Sequence, residues 1–251
     1  MNEKVTEKMV EGWYSSFRNP FPSKSISIRN LVISVENGVV SAKNPKANAF
    51  SLLERKDFGI DWEVSKDALL MHAPSGDENF IYLLDSGSKK AVRLDLYFEG
   101  DYFGFYSKDY ALPFVLSKDF CASASGEILL ITDSGNRKYA LLTGKERFSS
   151  PLRMKKCTGC AAFPGGSGIA CDADKIYAFM GGKRAEIDLD GITEEKMRNP
   201  VFGFGKSKNY SWAAVKDKDW NFSILVCVGG KECFSYTRFP VSALKGRAPM
   251  D

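Results

Sequence analysis

Apolar residues along the chain fall in short runs of about four to eight, often alternating with polar ones and closed by glycine, asparagine, aspartate, serine or proline. The stretches LVISVENGVVSA, FIYLLDSGSKKAVRL, EILLITDSGNRKYALL, KIYAFMGGKRAEIDL and SILVCVGGKECFSY each set a glycine between two such runs. This is the pattern of a β-hairpin, in which the glycine accepts the positive φ that other residues avoid. The five glycines are Gly38, Gly87, Gly135, Gly182 and Gly230, separated by 49, 48, 47 and 48 residues. One hairpin per period of this length marks a repeat architecture, and five periods nearly fill the 251-residue chain.

The second repeat reads as four strands, over 67–73, 80–84, 91–96 and within 102–106. The third matches it, with strands over 119–124, 127–132 and 139–142 and a weaker one near Leu152. Strands are expected over 160–163, 176–179 and 185–189 in the fourth repeat, and over 210–215, 222–228 and 233–238 in the fifth. The first repeat has its hairpin at 31–42 and an outer strand at 50–54; its innermost strand has no clear place. A lead-in recurs as Ser65-Lys66-Asp67, Ser117-Lys118-Asp119 and Ser207-Lys208-Asn209.

Four antiparallel strands per period, repeated five times, give an all-β chain that resembles the five-bladed β-propellers over residues 25–245, with about 48 residues per blade. The resemblance is one of fold, because the Gly-His and Trp-Asp signatures of tryptophan–aspartate repeats are absent. An irregular β-sandwich is the competing architecture. Residues 1–24 stand outside the repeats, so the expected organisation is an N-terminal helix and linker, then a propeller over 25–251. Val5, Met9, Val10, Trp13 and Tyr14 fall on one side of that helix, and Pro20 and Pro22 end it.

Apolar content of 44% supplies a core, and no run approaches the roughly 18 apolar residues a membrane helix needs. The N-terminus lacks the apolar core of a signal peptide, and six cysteines without a secretion signal fit a reducing compartment. The expected location is intracellular, cytoplasmic or nuclear.

The net charge of +4 matters less than its distribution. In a propeller blade the second-to-third turns and the links between blades lie on one face. That face is expected to collect Lys89, Lys90, Arg137, Lys138, Lys183 and Arg184 from turns, and Lys66, Lys118, Lys155, Lys156, Lys206 and Lys208 from links. The opposite face collects Asp77, Glu78, Glu127, Asp172, Asp174, Asp217 and Asp219. Asp67, Asp85, Asp119 and Asp133 break the pattern by falling on the basic side. A face of a dozen cations suits an acidic protein or a nucleic acid, although no RNA-binding aromatic motif accompanies the lysines.

Catalytic signals are weak. Cys157 and Cys160 form a C-x-x-C pair without the second pair a structural zinc site needs. His72, the single histidine, has no nucleophile and acid arranged with it. Asp61, Glu63, Asp67 and Asp119 are the nearest approach to paired glycosidase carboxylates. The Pro164–Gly168 stretch lacks the lysine and helix of a phosphate loop, and reads as a turn. Residues 96–114 hold eight aromatics in nineteen positions, so Tyr97, Phe98, Tyr102 and Tyr110 are candidates for an exposed patch facing protein.

The expectation is therefore a non-catalytic scaffold or adaptor propeller, without cofactor or metal, within a larger assembly. Its basic face meets an acidic partner, with RNA or a ribonucleoprotein among the candidates, and its aromatic patch meets protein. The alternative is a carbohydrate-binding or glycoside-hydrolase-like propeller acting at its central channel. A further possibility is that blade one is completed by another chain.

Overall fold

The computed structural model describes residues 22–44, 52–53, 64–75, 78–100, 102–143, 147–163, 167–172, 175–180, 183–188, 201–206, 210–216, 222–229 and 234–240. The expected N-terminal helix lies outside these residues. Every regular element among them is a β-strand, and the strands form five four-stranded antiparallel sheets. Each sheet runs in simple chain order, so neighbours in sequence are neighbours in space.

Sheet one holds β1 (Ser25–Ile28), β2 (Leu31–Glu36), β3 (Val39–Lys43) and β4 (Leu52–Leu53). Sheet two holds β5 (Leu69–Ser75), β6 (Glu78–Leu84), β7 (Lys90–Glu99) and β8 (Tyr102–Ala111). Sheet three holds β9 (Phe120–Ser125), β10 (Ile128–Asp133), β11 (Lys138–Thr143) and β12 (Leu152–Arg153). Sheet four holds β13 (Cys157–Phe163), β14 (Ser167–Asp172), β15 (Lys175–Met180) and β16 (Lys183–Asp188). Sheet five holds β17 (Val201–Lys206), β18 (Tyr210–Lys216), β19 (Phe222–Gly229) and β20 (Phe234–Pro240). The up-and-down, four-stranded sheet is the unit from which propellers are built. The chain divides into two compact units: sheets one to three in residues 20–154, and sheets four and five in the other.

Within the first unit, period-two alternation decides which sheets face each other. Leu70, Ile81, Leu83, Val92 and Leu94 of sheet two join Ile26, Leu31, Ile33 and Val40 of sheet one in one buried cluster. Their chain neighbours Met71, Tyr82, Leu84 and Ala91 point the other way and pack with Ala122, Leu129, Ile131 and Leu142 of sheet three. Sheet two is therefore apolar on both faces and sandwiched between its neighbours. That explains why FIYLL reads as a continuous apolar run and not an alternating one. In sheet four, Ala161, Phe163, Ile169 and Ile176 are fully buried.

The first repeat's first strand is β1, and just before it Ser23 bridges Leu70 of the second sheet, each N–H donating to the other's carbonyl at 2.8 Å. The strands expected in the second and third repeats occur where they were placed, with β7 and β8 longer than expected.

The fourth and fifth repeats require a correction. The segment 167–172, expected to be connection, is the second strand β14, and 201–206, for which no strand was expected, is the first strand β17. Glycines hide both. Gly168 in β14, and Gly203 and Gly205 alternating with phenylalanine in β17, resemble turn residues in a one-dimensional reading. The 48-residue period therefore does not mark one constant position in the sheet. Gly38, Gly87 and Gly135 fall between second and third strands, whereas Gly182 and Gly230, outside the described residues, fall between third and fourth.

Candidate functional site

Three of the predicted cations converge on one groove in the first unit. It has a volume of about 910 Å³ and lies where the β2–β3 turn, the link 64–66 and the β6–β7 turn meet. Lys66, Lys89 and Lys90 line it, with Ser86, Ser88 and Asn37 between them. Lys66 and Lys89 are exposed and Lys90 is half-buried.

The turns bordering the groove have defined causes. Asn37 (φ 50) and Gly38 (φ 79) form a two-residue hairpin with both centres left-handed, the type I′ geometry that matches strand twist. A Cβ on Gly38 would lie 2.6 Å from the Val64 carbonyl oxygen, so only glycine lets the turn approach the link. Gly87 (φ 84) has no atom within 4 Å of such a Cβ and is needed for its conformation alone.

The walls are held by a buried carboxylate. Asp85, at the end of the second strand, accepts the Ser65 N–H at 2.8 Å and the Ser65 hydroxyl on its other oxygen. The Ser65 oxygen in turn accepts the Asp67 N–H at 3.1 Å. Lys24 Nζ donates to the carbonyls of Lys66 and, at 2.6 Å, Ala68. On the facing turn, Gly87 N–H donates to Leu116 O at 2.7 Å and Leu112 N–H to Lys89 O at 2.7 Å. Leu116 N–H donates to Ser88 O at 3.1 Å.

The same device recurs in the next sheet. Ser117 N–H donates to Asp133 Oδ2 at 2.7 Å, its hydroxyl to Oδ1 at 2.5 Å, and Asp119 N–H to Ser117 Oγ at 3.1 Å. Asn136 adds its N–H and its side-chain amide to the Asp133 carboxylate, both at 2.9 Å. Burial alone would push the Asp133 carboxyl up, but these donors outweigh it and hold the group below the usual carboxylate range. In the second unit, Asp172 accepts Lys155 N–H at 2.6 Å and Lys156 N–H at 2.5 Å. Asp85, Asp133 and Asp172 are all buried. Two of these anchors are the very residues that appeared as acidic exceptions on a basic face. The signal that identifies them is the pairing of each Ser-Lys-Asp lead-in with a following Asp-Ser-Gly. The third lead-in, Ser207-Lys208-Asn209, lies outside the described residues, between first and second strands, and has a different place in its sheet.

The remaining cations sort by unit. In the first, Lys118, Arg137 and Lys138 repeat the placement of Lys66, Lys89 and Lys90 one sheet further on: one follows the anchored serine and two follow the turn glycine. In the second, Lys155 and Lys156 lie in the link before β13. Lys183 and Arg184 begin a fourth strand and Lys206 ends a first strand, so they belong to the opposite strand ends from those expected. Lys208 lies outside the described residues. Asp172 likewise ends a second strand and changes ends with them. The expected segregation therefore fails in the second unit for Lys183, Arg184, Lys206 and Asp172, because the extra strands β14 and β17 shift the register of the repeat, while Lys155 and Lys156 keep their place.

The aromatic patch is smaller than expected. Tyr97 and Tyr106 are exposed, at 50% and 71%, with ring centroids 5.5 Å apart. Tyr110 is buried, edge-on to Phe148, and Phe98 packs on the first core cluster beneath Arg29. Tyr110 is a core residue and Phe98 is half-buried against the core. The Tyr102 side chain lies outside the described ones. Tyr97 lies across Gly104, where a Cβ would fall 2.0 Å from its Cζ.

Among the described residues, several other groups with chemical potential are structurally engaged. His72 Nε2 lies 3.2 Å from Asn79 Oδ1; burial lowers its pKa, partly offset by that bond. Arg93 is buried, with Nη2 2.7 Å from Asp95, Nη1 2.9 Å from Glu127, and its guanidinium over Phe80. Burial opposes its charge, yet the Asp95 bond and neighbouring groups hold its pKa above the ordinary value. Tyr82 donates to Gly126 O at 3.0 Å and, with Arg93, ties sheet two to the β9–β10 turn. Cys160 and Cys171 are buried in adjacent strands. Among the described residues no group of three or more His, Cys, Asp and Glu is placed to hold a metal. Asp61 and Glu63 lie outside those residues.

No protein-family model matches the chain, and no curated protein is similar to it. Among solved structures it is similar to the AfRom2 CNH domain, at 11% identity and a TM-score of 0.43, covering 87% of this chain and 70% of that one. It is also similar to Hsv2 of Kluyveromyces lactis, at 9% identity and a TM-score of 0.34, covering 87% of each. No helix among the described residues is long and apolar enough to cross a membrane.

Proposed function

We propose that this chain is a non-catalytic adaptor: a five-bladed propeller that holds an acidic partner on the turn-and-link edge of its first three sheets. The observation that carries the reading is the groove in which Lys66 and Lys89 stand exposed on backbone pinned from both sides. Five consecutive four-stranded sheets support the blade count. The exposed pair Tyr97 and Tyr106 offers a second, protein-facing contact of the kind interfaces favour. Among the described residues, His72 and Arg93 serve as structural partners: His72 bonds Asn79, and Arg93 joins sheet two to Glu127 of the β9–β10 turn. The test is affinity capture of the tagged full chain from its native lysate, with and without nuclease. Recovery of a defined partner at low salt, released as salt rises, is the expected result. Recovery of none at low salt overturns the reading.

A further inference from the structure

We infer that the groove at Lys66 and Lys89 receives an extended acidic segment of a protein, and not a single-stranded nucleic acid; the inference rests on the adaptor reading. Its charge is one argument. Lys66, Lys89 and Lys90 line the groove, while Asp85, its one carboxylate, is buried and occupied by Ser65. The field offered to a ligand is positive.

The rest of the lining chooses between anions. Nucleic-acid strands are held without sequence preference by aromatic platforms on which bases stack, together with cations on the backbone. None of the lining residues is aromatic. Serine, glycine and asparagine occupy the space between the lysines, giving small side chains and hydroxyls. That surface admits an extended peptide whose alternate carboxylates reach the ammonium groups.

Rigidity is the third argument. Binding through loop lysines costs ordering of the loop backbone as well as of the side chains, and a fixed backbone removes the first cost. Here the link carrying Lys66 is fixed by Asp85, by Lys24 and by the Ser23–Leu70 bridge. The turn carrying Lys89 is fixed by its bonds to Leu112 and Leu116. The distance between the two backbones is set before any ligand arrives.

The experiment is fluorescence anisotropy with the purified full chain and a labelled peptide of about ten residues alternating glutamate with serine, long enough to cross the groove at ~3.3 Å per residue. The comparisons are the same peptide with glutamine for glutamate, and an oligouridylate of equal charge. The glutamate peptide is expected to bind more tightly than both, and to weaken as salt screens the contact. Lys66→Glu with Lys89→Glu should weaken it by about tenfold or more. Lys43→Glu, an exposed position at the end of β3 away from the groove, should change it little. Failure of the glutamate peptide to outbind its glutamine counterpart overturns the inference, as does tighter binding of the oligouridylate. Equal binding by the double variant and the native chain does so too. A lysate partner lost on K66E/K89E while the peptide does not bind leaves the adaptor reading standing and removes only the acidic segment. Peptide binding without any lysate partner does the reverse.

Discussion

Ser117 and Asp133 are joined by two hydrogen bonds, N–H to Oδ2 at 2.7 Å and hydroxyl to Oδ1 at 2.5 Å, across a turn that Asn136 closes. The carboxylate is fully buried. Asp133→Ala removes the acceptor for four donors and leaves the Ser117 N–H without its partner. A loss of about 2–4 kcal/mol is expected from urea unfolding, since each buried unsatisfied group costs ~1–3 kcal/mol. A loss under about 0.5 kcal/mol, the range of an ordinary surface substitution, would show that the bond anchors nothing.

The same residue sets an acid dependence. Its folded pKa lies below the unfolded value, near 3.9 for aspartate. Below that value the unfolded chain binds the proton more readily. The contribution is therefore present above about pH 4 and is lost as pH falls through the folded pKa. The difference in urea midpoint between the native chain and Asp133→Asn should narrow as pH drops from neutrality to below about pH 4. A difference that widens on acidification would contradict the assigned sign.

Three turn glycines should respond differently to alanine. At Gly87 the cost is conformational alone, on the order of 1 kcal/mol, and Asn should recover part of it. Gly135 is not left-handed, the positive φ of its turn being carried by Arg137 (φ 52). A Cβ there would lie 2.5 Å from Ser117 Oγ, so Ala and Asn both clash, at about 1–3 kcal/mol. Gly38→Ala combines both penalties and should be the most damaging. Equal midpoint shifts for all three would refute these assignments.

At the outer hairpin, Gly104→Ala should displace the Tyr97 ring, which stands over the bare backbone. The ring is half exposed and free to swing outward, so stability should change by less than about 1 kcal/mol while the near-ultraviolet circular dichroism of the tyrosines changes. A large stability loss with an unchanged spectrum would mean that the ring is fixed and the backbone yields.

The first three sheets were legible because their strands alternate or run apolar between conventional turn residues. Sheets four and five were misread by one strand because Gly168, Gly203 and Gly205 sit inside strands and carry no side chain to show a period. The two missed strands, β14 and β17, reversed the strand ends assigned to Lys183 and Arg184 and to Lys206. The groove itself was half legible. Its lysines stood out, but Asp85 looked like a misplaced charge, because composition cannot show that a carboxylate is buried and occupied by the Ser65 N–H and hydroxyl. Tyr110 shows the converse: an aromatic in an aromatic-rich segment reads as surface or core alike until its partner, Phe148 from the β11–β12 connection, is known.

The most direct test of the adaptor account is partner capture from the native lysate by the native chain and by K66E/K89E, with matched urea midpoints confirming that both are folded. The account predicts a defined partner held by the native chain and lost by the variant. Recovery of the same partner in equal amount by both would contradict it.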